Sequence, residues 1–132
     1  MPPLEKGWRA LGAHTPLSNL GVPSLVLHTT GAQSGLVRDT ELMFCPDGDD
    51  MLITGSNFAR DRHPAWSANL LKNPDAAVTV RGRRIEVRAE LVPAAQREAT
   101  WAKLEENWPG YRGYERTAQR ELRIFRLRRR SP

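Results

Sequence analysis

The stretch Ala77-Val78-Thr79-Val80-Arg81-Gly82-Arg83-Arg84-Ile85-Glu86-Val87-Arg88-Ala89-Glu90-Leu91 decides the fold of this chain. Val78, Thr79 and Val80 are β-branched, and from Ile85 onward apolar and charged residues alternate with the period of a half-exposed strand. Arg81-Gly82-Arg83 between the two runs supplies the glycine that a tight reversal needs. The segment reads as a β-hairpin with one face on a core, and the sheet around it is antiparallel.

The flanking sequence extends that sheet. Residues 24–30 (Ser-Leu-Val-Leu-His-Thr-Thr) are rich in strand formers and run into the turn-like Gly31-Ala32-Gln33-Ser34-Gly35. Residues 37–45 resume extended character, and Asp47-Gly48 signals a hairpin into a strand over 51–54. Pro64 suits the first turn of a helix, Trp66, Leu70 and Leu71 follow at helical spacing, and Asn73-Pro74 stops it. A second helix is predicted over 93–108, a short one over 111–120 and a last strand over 122–127; Leu4, Trp8 and Leu11 predict an N-terminal amphipathic helix over 4–13. Six short strands with inserted helices make a mainly β, α+β chain, a small antiparallel barrel decorated by helices. We expect residues 1–23 to form a helical lead-in and 24–132 one barrel domain.

Composition bounds the function. At 132 residues the chain has room for one domain. The formal charge of +5 is concentrated late: from Arg112 onward stand eight arginines against Glu115 and Glu121, so residues 1–111 sum to −1. A basic tail ending in Arg128-Arg129-Arg130 suggests phosphate contact with nucleic acid or lipid, or a solvated end. The single Cys45 reads as a small buried hydrophobe, and the chain is expected in a reducing cytoplasm, with peripheral membrane contact left open. No metal is expected, because His14, His28, His63 and Cys45 lack ligand spacing. Neither a Gly-x-Ser-x-Gly elbow nor a Gly-x-Gly-x-x-Gly or Walker loop is present.

Three clusters carry candidate chemistry. In the first, Thr29 to Arg38, small residues and two glycines allow backbone N–H groups to converge on an anion, hydroxyls add donors, and Arg38 offers a bidentate partner for phosphate; an ordinary turn with a solvated arginine is the alternative. The second, Gly55 to Trp66, combines polar donors, Arg60, Arg62 and a helix start at Pro64, or is a surface loop of mixed charge. In the third, Trp108, Tyr111 and Tyr114 recur at intervals of three, which suits either a flat ligand or helix packing.

In this order and spacing the clusters resemble the deazaflavin-dependent nitroreductase family of actinobacteria, over roughly residues 24–127. The marks are Thr30-Gly31-x-x-Ser34-Gly35-x-x-Arg38, Ser56-Asn57 followed by His63-Pro64-x-Trp66-x-x-Asn69-Leu70-x-x-Asn73-Pro74, and Pro109-Gly110-Tyr111-x-x-Tyr114. The resemblance implies a six-stranded split β-barrel similar to the FMN-binding split barrels. It implies coenzyme F420, a deazaflavin with a phosphate and a polyglutamate tail, as cofactor, with FMN ranked behind it. Gly31, Gln33, Ser34, Gly35, Arg38, Ser56, Asn57, Arg60 and Arg62 would hold the phosphate and tail, and Trp66 and Asn69 would close over the cofactor. Trp108, Tyr111 and Tyr114 would enclose the substrate, with Tyr111 or Tyr114 as proton donor. This chain departs from the family's usual basic residues at Ala32 and Gln33.

The activity implied is hydride transfer from reduced F420 to an electron-poor small molecule: an enone, a quinone or a nitroaromatic. A non-catalytic carrier of an anionic flavin or deazaflavin is the alternative, and a nucleic-acid or membrane-surface module the third reading. Nucleic acid is not expected as a partner, and a homodimer is left open.

Overall fold

The computed structural model describes residues 23–55, 63–113, 115 and 121–130. The predicted N-terminal helix, most of the short helix over 111–120, and the candidates Ser56, Asn57, Arg60, Arg62 and Tyr114 lie outside these residues.

Seven strands form one sheet: β1 Ser24–Thr30, β2 Val37–Met43, β3 Cys45–Asp47, β4 Asp50–Thr54, β5 Asp75–Val80, β6 Arg83–Leu91 and β7 Ile124–Arg129. Their order is β2-β1-β5-β6-β7-β4-β3, and every pairing is antiparallel. The hairpin that anchored the sequence reading is β5–β6, with Val80 opposite Arg83. Its two turn residues, Arg81 and Gly82, both have positive φ, 50° and 77°. That is the type I′ pattern, whose twist matches the flanking strands.

The count of seven rather than six corrects the reading of 37–45 as one strand. The chain bends at Phe44, whose N–H donates to the Pro23 carbonyl at 3.2 Å, and β2 and β3 lie at opposite edges of the sheet. A single residue thus carries the chain from one edge to the other, so the sheet must curl until its edges approach: a half-barrel. The β3–β4 turn consists of Gly48 (φ 62°) and Asp49, one residue later than the Asp-Gly signal alone places it.

Two helices cover the two sides. α1 (Ala65–Lys72) starts after Pro64 and ends at Asn73, as read from the sequence. The predicted helix over 93–108 is a 3-10 turn, Ala94–Gln96, continued by α2 (Arg97–Asn107). The last strand falls slightly later than 122–127, because Leu122 is buried in the α2 cluster before pairing with β4 begins.

Alternate residues of one strand feed two cores, as the period of two requires. Met51 and Ile53 of β4 and Phe125 and Leu127 of β7 pack with Trp66 and Leu70 of α1. Leu52 and Ile124 from the same strands, with Cys45, pack with Trp101 and Leu104 of α2. α1 and α2 therefore occupy opposite faces.

The basic tail is largely neutralised by its neighbours. Arg126 meets Asp47 at 2.8 Å and Asp50 at 3.2 Å, Arg128 pairs with Glu90, and Arg130 reaches Glu86 at 3.3 Å. Lys103 and Arg126 hydrogen-bond Asp47 and hold its carboxyl below the ordinary carboxylate value. Burial raises the Cys45 thiol, which accepts from Asn107 Nδ2 at 3.0 Å, in keeping with its reading as a small buried group. Among the described residues no helix is long and apolar enough to cross a membrane.

Candidate functional site

The first sequence cluster becomes a closed loop between β1 and β2. Gly31 N–H donates to the Leu36 carbonyl at 2.7 Å, Gly35 N–H to the Gly31 carbonyl at 3.0 Å, and Leu36 N–H to Ser34 Oγ at 3.1 Å. Gly35 needs its glycine, since its φ is 71°. Gly31 leaves room for the Ser34 hydroxyl: a Cβ there would lie 2.5 Å from Ser34 Oγ, which would have to turn away from Leu36 N–H.

α1 grips this loop. Asn69 Oδ1 accepts from Ala32 N–H at 2.9 Å, Asn69 Nδ2 donates to Thr29 Oγ1 at 3.2 Å, and Lys72 Nζ donates to the Ala32 carbonyl at 2.8 Å. Both backbone groups of Ala32 are thus tied to one helix. Asn69 and Thr29 are buried, where hydrogen bonds are expensive to break. The expected nest of amides is thereby narrower than the sequence suggested. The amides of Gly31, Gly35 and Leu36 serve the loop itself and that of Ala32 serves α1, and among the described residues those of Gln33 and Ser34 make no hydrogen bond.

Between loop and helix lies a cleft of about 620 Å³, lined by Gly31, Gln33, Ser34, Arg38, Trp66 and Asn69 among others. The structure thus gathers six of the residues singled out from sequence; Gly35 stands behind, as the loop's hinge. Asp39 also lines the cleft, but His28 Nδ1 lies 2.7 Å from its Oδ1, while His28 Nε2 lies 2.8 Å from Thr79 Oγ1. Arg38 makes no ion pair among the described residues. Asp39 is thus held by a hydrogen bond from His28, and the unpaired Arg38 guanidinium is the cleft's charged donor for an anionic group.

The start of α1 adds to it. No side chain caps the helix, and Ala65 and Trp66 of its first turn line the cleft. Uncapped first-turn amides favour negative charge. Trp66, buried and packed on Phe125 at 5.8 Å, forms part of the cleft wall, and among the described residues its Nε1 has no hydrogen-bond partner. An unpaired guanidinium, free amides and the hydroxyl of Ser34 fit the anionic part of a ligand.

The margins of the second cluster come together, since a Cβ on Gly55 would meet the Pro64 ring at 3.4 Å. His63 lines a separate cavity of about 320 Å³ with Arg97 and Arg123. The described residues of the third cluster, Trp108 and Tyr111, stand elsewhere. Trp108 and Tyr111 pack against the α2 core, Tyr111 with its ring edge-on to Trp108 at 5.5 Å and to Trp101 at 6.1 Å. Neither lines the cleft.

Sequence reasoning missed Lys72 and the His28–Asp39 pair, and it read Thr29 as a hydroxyl donor for the ligand, whereas Thr29 Oγ1 accepts from Asn69. Lys72 was detectable, because it follows Ala65, Ala68 and Asn69 on one helix face. The His28–Asp39 pair depends on β1–β2 register and has no local signal.

Known proteins resemble this chain in sequence and in fold. The model of the F420H(2)-dependent quinone reductase family matches residues 6–128. The chain belongs to that family. An F420H(2)-dependent quinone reductase of Mycobacterium tuberculosis is 36% identical over 113 residues, which cover 82% of this chain and 74% of that one. A solved F420-H2 dependent reductase, FDR-A, superposes with a TM-score of 0.71 at 26% identity, covering 80% of this chain and 93% of its own. A second solved structure, described as a domain-swapped dimer, has the same TM-score at 25% identity, over 93% of this chain and 94% of that one. HutZ, the heme storage protein of Vibrio cholerae, shares the fold at TM-score 0.60 and 17% identity, over 99% and 93% of the two chains. The fold is the split barrel, and the chain is an oxidoreductase whose cofactor is coenzyme F420.

Proposed function

We propose that the cleft between residues 31–38 and α1 binds reduced F420 and presents it to a quinone. The observation that carries this assignment is Arg38, whose guanidinium lines the cleft beside an uncapped helix start while Asp39 is engaged by His28.

Arg38, Ser34 and the amides of Gln33 and Ser34 would hold the cofactor's phosphate, with Ser56, Asn57, Arg60 and Arg62 extending the grip along the tail. Trp66 would wall the ring system, and Asn69 sets the loop's position through Ala32 and Thr29. The deazaflavin supplies the hydride when bound. The protein's own contribution is to fix both partners and to exclude water, as α1 can do because Trp66 and Leu70 anchor it in the core. The proton for the quinone oxygen comes from solvent, Tyr111 or Tyr114. For Tyr111 and Trp108, family resemblance supports the acceptor side, while their contacts support packing. Replacing Tyr111 by Phe distinguishes the two: a proton donor loses turnover at unchanged thermal stability.

The domain-swapped neighbour supports a homodimer, and the free, buried Cys45 supports a reducing cytoplasm. The deciding experiment mixes the protein with reduced F420 and a short-chain quinone and follows the return of the oxidised cofactor's absorbance. Turnover is expected. Cofactor binding without turnover across quinones, enones and nitroaromatics would make the protein a carrier instead, and no binding at micromolar F420 would remove the assignment. Arg38→Gln should weaken F420 binding about tenfold or more, since a charge-assisted hydrogen bond contributes roughly 1.5–3 kcal/mol. Calorimetric titration reads that loss, and an unchanged melting temperature assigns it to binding.

A further inference from the structure

A second, larger basic site lies away from the cleft. Arg81, Arg83 and Arg84 of the β5–β6 hairpin and Arg129 and Arg130 of the β7 end line one groove of about 1100 Å³, whose one acidic lining residue is Glu86. The two basic segments are some 45 residues apart in sequence, and pairing brings them together: Val87 faces Arg129, and Arg130 N–H donates to the Glu86 carbonyl at 3.0 Å. Val80 and Ile85, packed on the main core, form a firm floor.

Charge is left over here, in contrast to the rest of the tail. Glu86 is shared between Arg84 at 3.6 Å and Arg130 at 3.3 Å, and Asp75 reaches Arg130 at 3.6 Å. Arg81, Arg83 and Arg129 make no ion pair among the described residues. Arg81 also stands at φ 50°, a backbone conformation that disfavours side chains other than Asn, Asp or Gly. The turn needs that backbone but not an arginine. All five cations are arginines, whose planar forks match phosphate oxygens two at a time.

The groove is separate from the cofactor cleft. Val26 faces Thr79, so Val80 lies level with Leu25, whereas the cleft loop leaves β1 after Thr30. Five residues of strand put the two ends about 17 Å apart.

We propose that this groove is a second anion site, taking a ligand that presents two or more clustered phosphate groups. Such a group comes either from a soluble polyphosphorylated molecule or from the headgroups of an anionic lipid surface. The test uses the full chain at low salt, with inorganic tripolyphosphate in calorimetry and phosphatidylcholine vesicles with and without phosphatidylglycerol in co-sedimentation. Binding to tripolyphosphate alone identifies the soluble source, and retention by the anionic vesicles alone identifies the lipid. In either case the triple variant Arg81→Gln, Arg83→Gln, Arg129→Gln should lose about tenfold or more in affinity and flatten the salt dependence, while Arg38→Gln should not. F420 affinity and quinone turnover of the triple variant should stay unchanged, which separates this site from the cofactor assignment. The proposal is overturned if neither probe binds, if the triple variant binds as the parent does, or if duplex DNA outcompetes both probes.

Discussion

Asn69 shows how a residue recognised as part of a site can act one step behind it. Its amide joins Ala32 N–H to the Thr29 hydroxyl, and these contacts occupy both ends of the buried side chain. Asn69→Ala should therefore destabilise the fold by about 1–3 kcal/mol, the penalty for leaving buried polar groups unpaired. F420 binding should weaken as well, because the loop loses its registration. Asn69→Asp keeps the acceptor for Ala32 N–H but loses the donor to Thr29, so it should retain more affinity than Asn69→Ala; equal losses in calorimetry would argue against positioning. At Arg81 the prediction runs the other way. Asn tolerates positive φ, so Arg81→Asn should raise stability by about 1 kcal/mol in urea unfolding. Residue types in the 31–38 loop disclosed an anion site because glycine, serine and arginine each have a local reason to be there. The helix face that carries Asn69 and Lys72 was legible in the sequence, but their contacts with Ala32 needed the helix set against the loop, which no single segment encodes.

The β3–β4 hairpin gathers a network around Asp47, which accepts from Lys103 of α2 at 2.7 Å and from Arg126 of β7 at 2.8 Å. These bonds lower its pKa, so the folded state releases the proton more readily than the unfolded chain does. The stabilisation is fully present above the unfolded value, near 3.9, and is lost as pH falls below it through the folded value. Asp47→Asn should consequently cost on the order of 1–2 kcal/mol at pH 7. The gap between parent and variant should close as pH drops from about 5 toward 2. Urea midpoints measured across that range give the result, and a pH-independent gap would assign the loss to packing. The hairpins themselves were legible because Asp-Gly and Arg-Gly mark reversals. The break at Phe44 was not, since residues 37–45 are extended throughout and the bend is imposed by the distance between sheet edges.

At the scale of the molecule, the sheet separates two cores that share strands but not duties. α1 supplies Leu70 to one core, Ala65, Ala68 and Asn69 to the cleft, and Trp66 to both. α2 supplies Trp101 and Leu104 to the other core, where Trp108 and Tyr111 rest on them. A spacing of three could not tell which sheet face the aromatics join, so their spacing favoured packing without excluding a substrate wall. The architecture makes the difference measurable with a matched pair. Leu70 and Leu104 are both fully buried, and truncation of either to Ala should cost about 2–5 kcal/mol. Leu70→Ala loosens the helix that carries Asn69, so F420 affinity should fall along with stability. Leu104→Ala opens a cavity on the far face, so stability should fall with F420 affinity unchanged. Urea unfolding and calorimetry on both variants at a temperature where each is folded decide it. Loss of F420 affinity in Leu104→Ala would mean that the α2 face reaches the cofactor, and Tyr111 would then move from packing toward the chemistry.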